Sequence, residues 1–317
     1  MVEDVYLKKL VVALGGNAIL QFNEQGTIAE QIANLEKTAS QLAPIISSWY
    51  QVVVTHGNGP QVGNILIQNL RAKDEVPPMP LDVCGAETQG FIGYLLNQAL
   101  SWELEKLGSS FEVCTLMTQV VVDPEDAAFK NPEKPVGPWL SHEEMIKSKK
   151  DGEVWSEHPE RGWRKLVPSP KPRKILNSRG ISTLLKNGFT VIACGGGGVP
   201  VVECSDGRLR GVEAVIDKDL ASSCLGTEIS ADILLILTDI SGVFLDFGTP
   251  SQRSIDHIRA KDLRKLYEKG LFPAGSIGPK VEAALQFVEK GGKKAIIAKL
   301  DQAQNALKGK TGTIVVP

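Results

Sequence analysis

Short apolar runs alternate along the chain with longer segments in which apolar residues recur at helical spacing. Residues 10–14 form a run that is too short for a helix and dense enough for a strand buried on both faces. Residues 28–40 then carry apolar side chains at the spacing of an amphipathic helix. Further apolar runs at residues 52–55, 190–194 and 232–238 predict more strands, with helical patterns between them. This alternation predicts an α/β fold with a doubly wound, mainly parallel sheet.

Three of the predicted strands end in glycine-rich loops, which lie at residues 15–17, 57–60 and 195–198. Glycine leaves its backbone N–H groups uncovered and allows a sharp turn, so such a loop can accept an anion. A helix that starts at the loop adds the positive end of its dipole. Because the carboxyl ends of parallel strands meet at one edge of a sheet, the loops predict a single site for phosphate or a small anion.

Residues 123–172 differ from this pattern, and we call them the lid. They contain eight of the 18 prolines and three of the five tryptophans. A disordered linker is one interpretation, but three tryptophans favour a small packed unit, which we expect to be two short β-hairpins that stand off the main body. Residues 111–122, just before the lid, read as one continuous strand. We expect one lobe at residues 1–210, into which the lid is inserted, and a second lobe at residues 211–317.

Three lysines stand out beside the predicted loops. Lys218 lies between Asp217 and Asp219 at a predicted helix start, and Lys280 lies at the start of another helix. A cation is disfavoured at a helix N-terminus unless an anionic ligand shares the site. Lys134 is held between prolines in the lid. Each lysine alone is more typical of a solvated surface, but together with the glycine loops they fit phosphoryl transfer, which needs positioning and positive charge.

Two other motifs are rejected on their spacing. The glycines of residues 57–63 resemble a dinucleotide fingerprint, but the last spacing is one residue too long and Pro60 interrupts the turn. Residues 309–311 resemble the end of a P-loop, but Gln304 stands where the first glycine belongs. The five cysteines form no CxxC pair and are expected to be buried thiols.

Composition and charge argue against several classes of function. The formal net charge of -2 and the pI near 6.2 give no general attraction to nucleic acid or to a membrane surface. The first ten residues carry acids where a signal peptide would be basic, and the longest apolar runs are far too short to span a bilayer. We therefore expect a cytoplasmic protein.

Eight segments together resemble the carbamate kinases of the amino acid kinase superfamily: VVALGGNAIL, HGNGPQVGN, PMPLDVCGAETQGFIGYLLNQAL, KNPEKPVGP, CGGGGVPVV, GVEAVIDKDLAS, LTDISGV and GSIGPKVEAA. The resemblance spans residues 10–316. It implies a three-layer αβα sandwich, a homodimer, and reversible phosphoryl transfer between ATP and carbamate with Mg²⁺, which gives ADP and carbamoyl phosphate. It also implies operation towards ATP during arginine, agmatine or purine breakdown.

The resemblance further implies a role for individual residues. Carbamate and the transferred phosphoryl group would be held by Gly15, Gly16, Asn17, Gly57, Asn58 and Gly59. The catalytic group would be Lys134, Lys218, Asp219 and Lys280, where Lys218 bridges the attacking and phosphoryl oxygens and Asp219 orients it. The nucleotide would be bound by Thr238, Asp239, Val243, Phe247 and Lys280. One departure is Asp246-Phe247, where the family usually has Asn-Tyr; it leaves a ring for adenine to stack on but no hydroxyl group.

Three alternatives remain open at this point. One is a related kinase of the same fold that phosphorylates another small carboxylate or phosphonate. Another is a non-catalytic ligand-sensing domain, against which the complete set of lysines argues. The third is a nucleic-acid-binding protein that uses the basic lid, and the negative net charge of the chain argues against it.

Overall fold

The computed structural model describes residues 7–21, 23–48, 50–149, 152–273 and 277–317. In chain order, the strands are β1 Lys8–Leu14, β2 Tyr50–His56, β3 Glu112–Thr115, β4 Gln119–Val122, β5 Lys134–Leu140, β6 Val154–His158, β7 Gly162–Val167, β8 Pro172–Ile175, β9 Phe189–Ile192, β10 Val199–Glu203, β11 Leu209–Gly211, β12 Ile233–Thr238, β13 Val243–Leu245, β14 Arg253–Ile255, β15 His257–Arg259, β16 Lys294–Lys299 and β17 Thr313–Val316. The α-helices are α1 Ile28–Ile46, α2 Gly59–Ala72, α3 Leu81–Lys106, α4 Ala127–Lys130, α5 His142–Ser148, α6 Ser178–Lys186, α7 Lys218–Glu228, α8 Ala260–Glu268, α9 Ile277–Glu289 and α10 Ala303–Leu307.

Eight strands form the central sheet, in the order β15-β17-β16-β12-β1-β2-β9-β3. All neighbouring strands in this sheet run parallel except β16 and β17. Parallel neighbours need long connections, and helices that make such connections cover the faces of the sheet. The predicted α/β fold with a mainly parallel sheet is confirmed.

Helices pack on both faces of this sheet and give it two hydrophobic cores. In β1, the side chains of Leu10, Val12 and Leu14 contribute to the core beneath α1, α3 and α10. Val11 and Ala13 contribute to the opposite core, beneath α6, α7, α8 and α9. All five are fully buried. Burial on both faces is why the strand reads as an unbroken apolar run, and it gives the expected three-layer αβα architecture.

The predicted strand at residues 111–122 is wrong, because the chain divides there into two strands of different sheets. β3 lies in the central sheet, whereas β4 lies in a four-stranded sheet of order β11-β10-β4-β8. The buried side chain of Gln89 stabilises the backbone between β3 and β4. Its Oε1 accepts from the Thr118 N–H at 2.9 Å and its Nε2 donates to the Thr118 carbonyl at 3.2 Å. These bonds replace the ladder of the first sheet.

The lid is a packed unit, but the prediction of two separate hairpins is wrong. Strands β5 and β6 both pair antiparallel with β7, which forms one three-stranded sheet accompanied by the short helix α5. The lid residues Val136 and Val167 pack in a cluster with Val62, Leu81 and Cys84 of α2 and α3. This apolar contact seats the lid on the main body.

Three further sequence expectations concern the chain as a whole. The division at residue 210 stays a prediction, and β1 from the first part pairs directly with β12 from the second. All five cysteines are free, and of these Cys84 and Cys194 are buried while the others are half-buried. Within the described ranges, no helix combines the length and the apolar character needed to cross a bilayer.

Candidate active site

The first two glycine loops meet where neighbouring parallel strands end. Gly15, which follows β1, donates its N–H to the Leu237 carbonyl of β12 at 2.9 Å. Gly57, which follows β2, donates to the Leu14 carbonyl at 3.3 Å. A methyl group added to Gly57 would lie 3.6 Å from the backbone nitrogen of Gly16 and 3.6 Å from Cδ of Lys218. The two loops and Lys218 are therefore immediate neighbours, as the strand order requires.

A cavity of about 520 Å³ opens beside the first of these loops. One end is polar and the other apolar. The cavity is lined by Gly15, Gly16, Asn17, Lys218, Thr238, Asp239, Ile240, Phe244, Phe247, Leu271, Pro273, Ile277 and Lys280. Backbone amides and two ammonium groups at one end suit phosphate groups, while the rings and aliphatic side chains at the other suit a flat organic group.

Two lysines share one buried carboxylate at the polar end. Nζ of Lys218 lies 2.5 Å from Oδ1 of Asp219, and Nζ of Lys280 lies 3.1 Å from Oδ2. Asp219 is only 2% exposed. Burial alone would raise the pKa of this carboxyl group, but the two ammonium groups outweigh burial and hold its pKa below the ordinary value. Asp219 is therefore ionised, and it fixes both lysines at the cavity.

The start of α7 positions this group. Asp217 caps the helix, since its Oδ1 accepts from the backbone N–H of Asp219 at 2.9 Å and of Leu220 at 3.3 Å. One turn later, the Ser222 hydroxyl donates to the Lys218 carbonyl at 2.6 Å and shares a hydrogen bond of 2.7 Å with Thr55 of β2. Helix α7 is thereby tied to the strand that leads into the second glycine loop.

Lys134 reaches the same region from the lid. Its Nζ lies 3.3 Å from Oδ2 of Asp217, and the Lys134 side chain is 41% exposed. The structure thus brings the four predicted catalytic residues to one place, Lys134 through Asp217 and the other three directly.

The third glycine loop packs behind the second instead of lining the cavity. Its four glycines are buried, and Gly196 has a φ of +64°. A Cβ atom on Gly196 would lie 2.2 Å from Nδ2 of Asn58, and one on Gly195 would lie 2.5 Å from Nε2 of His56. Asn58 in turn donates to the Thr88 hydroxyl at 2.8 Å. Glycine is needed here because the second loop sits directly against this backbone.

His56 joins the two loops. Its Nδ1 lies 2.9 Å from the Gly57 carbonyl, and the ring is almost fully buried. Burial, with a smaller contribution from the charge of Lys218, lowers the pKa of His56 to about 4, although the hydrogen bond to the Gly57 carbonyl opposes this shift. A neutral imidazole donates its Nδ1–H to Gly57 and leaves Nε2 facing Gly195.

The sequence of this chain is similar to a known protein family and to several named enzymes. The family model described as "Amino acid kinase family" matches residues 8–299. The chain is 50% identical to the carbamate kinase of Pyrococcus horikoshii, over 98% of this chain and 99% of that protein. It is 49% identical to carbamate kinase 1 of Enterococcus faecium, over 93% of this chain and 94% of that protein.

The chain belongs to the carbamate kinases of the amino acid kinase family. A solved carbamate kinase from Giardia lamblia, bound to AMP-PNP, superposes with a TM-score of 0.92 at 43% identity, and the match covers 98% of each chain. The fold and family expected from the sequence are confirmed.

Among the family's predicted site residues, several do not line the cavity. Val243 is fully buried, and its backbone N–H donates to the Thr313 hydroxyl at 2.7 Å; its neighbour Phe244 lines the cavity instead. Asn58 is buried behind the loop, and Gly59 lies exposed in the first turn of α2. Phe247, 67% exposed, does line the cavity, and its ring centroid lies 6.0 Å from that of Phe244. Binding roles for these residues stay predictions.

Sequence reasoning missed two residues that the structure brings into this carbamate kinase site. The sequence pattern presents Asp217 only as a flank of Lys218, and the four histidines show no metal-ligand spacing that would single out His56. The HGNG segment, in which a histidine ends a buried strand, was a usable signal for His56. The pairing of Asp217 with Lys134 spans 83 positions and leaves no local signal.

Proposed function

We propose that the protein catalyses the reversible transfer of a phosphoryl group between ATP and carbamate, which forms ADP and carbamoyl phosphate. The observation that carries this proposal is the pair Lys218 and Lys280 on the buried Asp219, at a cavity edged by Gly15 and Gly16. The relatives at about half identity bear the name of this activity. In the cell we expect the reaction to run towards ATP, using carbamoyl phosphate from arginine, agmatine or purine breakdown.

The chemistry needs positive charge more than it needs a base. Carbamate is already an oxyanion, so no proton has to be removed from it before attack. Two negative partners repel each other, and charge spreads over the phosphoryl oxygens in the transition state. Lys218, beside Gly16 and Gly57, would bridge the attacking and phosphoryl oxygens, and Lys280 would offset the charge of the nucleotide's phosphates. One such contact is typically worth ~3 kcal/mol of barrier.

The apolar end of the cavity supports a nucleoside site. Phe244, Phe247 and Leu271 offer the surface on which a purine could stack, and Thr238 and Asp239 line the same cavity. The Giardia lamblia relative is bound to AMP-PNP, an ATP analogue. We therefore propose that this end binds ATP or ADP, in agreement with the lobe expected at residues 211–317.

Mg²⁺ would enter with the nucleotide. Among the described residues, no group of three or more potential ligand side chains forms a metal cage, and the buried Asp219 is already occupied by two lysines. This donor set fits a metal held mainly by phosphate oxygens, with Asp239 as the nearby exposed carboxylate in the cavity. The ion would supply charge neutralisation on the phosphates.

The decisive experiment mixes the protein with Mg-ADP and carbamoyl phosphate and follows ATP by a luciferase signal. We expect rapid ATP formation that depends on all three components. The same assay with acetyl phosphate and other acyl phosphates separates carbamate from a different small acceptor. Nucleotide binding without ATP formation from any of these donors would contradict the proposal and favour a sensing domain.

We also propose that the protein is a cytoplasmic homodimer without a nucleic-acid or membrane partner. The long helix α3 exposes two large rings, Tyr94 at 58% and Trp102 at 60%, and burial of such rings between subunits would be favourable. Analytical ultracentrifugation of the native chain and of Trp102→Glu tests this. A native chain that sediments as a monomer would contradict the dimer.

A further inference from the structure

The carboxylate of Asp217 connects the lid to helix α7. Asp217 uses Oδ1 to cap α7, where it accepts from the N–H of Asp219 and of Leu220. Its other oxygen, Oδ2, lies 3.3 Å from Nζ of Lys134. The Asp217 side chain is 16% exposed, and its backbone position is fixed by the cap. The lid lysine is thus tied to the first turn of the helix that presents Lys218.

The ion pair fixes the ammonium group of Lys134, but it does not fix the position of the lid as a whole. The lid is seated by apolar packing, in which Val136 and Val167 contact the cluster on α2 and α3. Val136 is only two residues from Lys134 in β5, so the backbone of Lys134 is placed near the site whether or not the ion pair forms. Breaking the pair therefore frees about four methylene groups and one ammonium group to move.

The three site lysines differ in how they are held. Lys218 and Lys280 are mostly buried and share Asp219. Lys134 is 41% exposed, and in the part of the chain that the structure describes its one ion-pair partner is Asp217. Ion pairs in which one side chain keeps this much contact with solvent are weak. A doubly charged phosphate that enters the site can therefore take Lys134 away from Asp217 at small cost, but cannot easily displace Asp219 from the other two.

We infer that Asp217 is a positioning residue that pairs with Lys134 at the rim of the site before substrate binds. When an anionic substrate binds, Lys134 leaves Asp217 and pairs with the phosphoryl group. This inference rests on the proposed function. The Asp217 side chain would thus have two roles: it caps α7, and it pairs with Lys134 while no substrate is bound. Substrate binding then exchanges a carboxylate partner for a phosphate partner, without any movement of the lid sheet.

A double-mutant cycle on binding tests the exchange. Calorimetry measures the dissociation constant of carbamoyl phosphate, without ADP, for native protein, Asp217→Asn, Lys134→Ala and the double variant. Asparagine keeps the cap, because its side-chain oxygen can still accept from the helix N–H groups. Repulsion between Asp217 and the phosphate cancels in the cycle. What remains is the part of the Lys134–Asp217 attraction that is lost on binding.

We expect Lys134→Ala to weaken binding more in the Asp217→Asn background than in the native background, by a further factor of roughly two to five. In the native protein Lys134 gives up a partner on binding, and in the variant it does not. Equal losses in the two backgrounds would overturn the exchange, and a smaller loss in the variant would show instead that Asp217 prepares Lys134 for the substrate.

Two controls separate this result from other causes. Glu213→Gln removes a carboxylate near the lid that lies 3.8 Å from Nζ of Lys165, so the same cycle with Lys134→Ala should show no coupling. Thermal unfolding of Asp217→Asn should match the native curve if the cap is kept. If native protein neither binds carbamoyl phosphate nor forms ATP from it, the proposed function fails together with the inference; if it does both and the cycle shows no coupling, the inference alone fails.

Discussion

Replacing Asp219 by asparagine removes the negative charge that Lys218 and Lys280 share. The side chain keeps its shape but can no longer neutralise Lys218 at 2.5 Å and Lys280 at 3.1 Å. Removing one partner from a fully buried ion pair typically costs about 3–5 kcal/mol. Because the side chains of Lys218 and Lys280 keep 13% and 17% exposure, we expect the lower end, ~3 kcal/mol. For a chain of 317 residues, that loss lowers the melting temperature by about 5 °C.

The pH dependence of this loss has a definite sign. The pKa of Asp219 in the folded protein lies below its ordinary value of 3.8. The carboxylate therefore contributes stability that is complete above that value and is lost as the pH falls through the lower, folded pKa. The stability difference between native protein and Asp219→Asn should be largest near neutral pH and should shrink in acid below pH 3.8.

Thermal unfolding and turnover, measured on the same preparations, check this prediction. Turnover should fall on the order of a hundredfold or more, since Lys218 loses the group that orients it. Carbamoyl phosphate should raise the melting temperature of the variant more than that of native protein, because its phosphate replaces part of the missing charge. Asp262→Asn, which removes an exposed partner of Lys265, is the matched control and should change neither quantity. An unchanged melting temperature in Asp219→Asn would refute the reasoning.

Three further predictions concern neighbouring parts of the site. Lys218→Ala should lower turnover on the order of a hundredfold or more while the protein still folds, because Lys280 still pairs with Asp219, whereas the exposed Lys186→Ala should be neutral; near-normal turnover would remove Lys218 from the mechanism. Gly196→Ala, with its Cβ 2.2 Å from Nδ2 of Asn58 and a φ of +64°, should destabilise by ~2 kcal/mol or more, while Gly180→Ala, which meets nothing within 4 Å in α6, should not destabilise. Equal melting temperatures for the two glycine variants would contradict the packing of the third loop. Because burial lowers the pKa of His56 from 6.5 to about 4, native protein should lose stability as the pH falls between these values, and His56→Gln should lose less over that range; parallel curves would exclude this role.

The sequence predicts the central sheet well because its strands are buried on both faces. Residues 10–14 and 233–237 leave no solvent-facing positions, so the apolar runs stand out from the helical segments. The first two glycine loops are also predictable, since the strands that lead into them are adjacent and parallel. The glycine loops predict one edge of the sheet at which Lys218 also lies, but they do not show that the third loop only packs behind the second.

Other features depend on contacts between residues far apart in the chain, and no local pattern encodes them. The break between β3 and β4 is held by Gln89, about thirty positions before Thr118. The lid sheet forms because β7 pairs on both of its edges, whereas alternation along each strand specifies only that strand. The ion pair of Lys134 with Asp217 joins two segments that seemed independent in the sequence.

Two of the site lysines pair with a buried carboxylate and the third forms a weaker ion pair. This difference suggests how the site can be rigid and still let substrate anions enter and leave. Lys218 and Lys280 share a carboxylate that is 2% exposed, on a helix tied to β2 through Ser222 and Thr55. These groups keep their geometry before substrate arrives, so little reorganisation is needed as charge develops in the transition state. Lys134 is instead 41% exposed and forms a weak pair with Asp217, so in the proposed mechanism it can follow the phosphoryl group. If all three lysines were equally fixed, the site would resist the entry and release of its own anions; if all three were as loosely held as Lys134, it would lose the preorganisation that makes charge stabilisation effective.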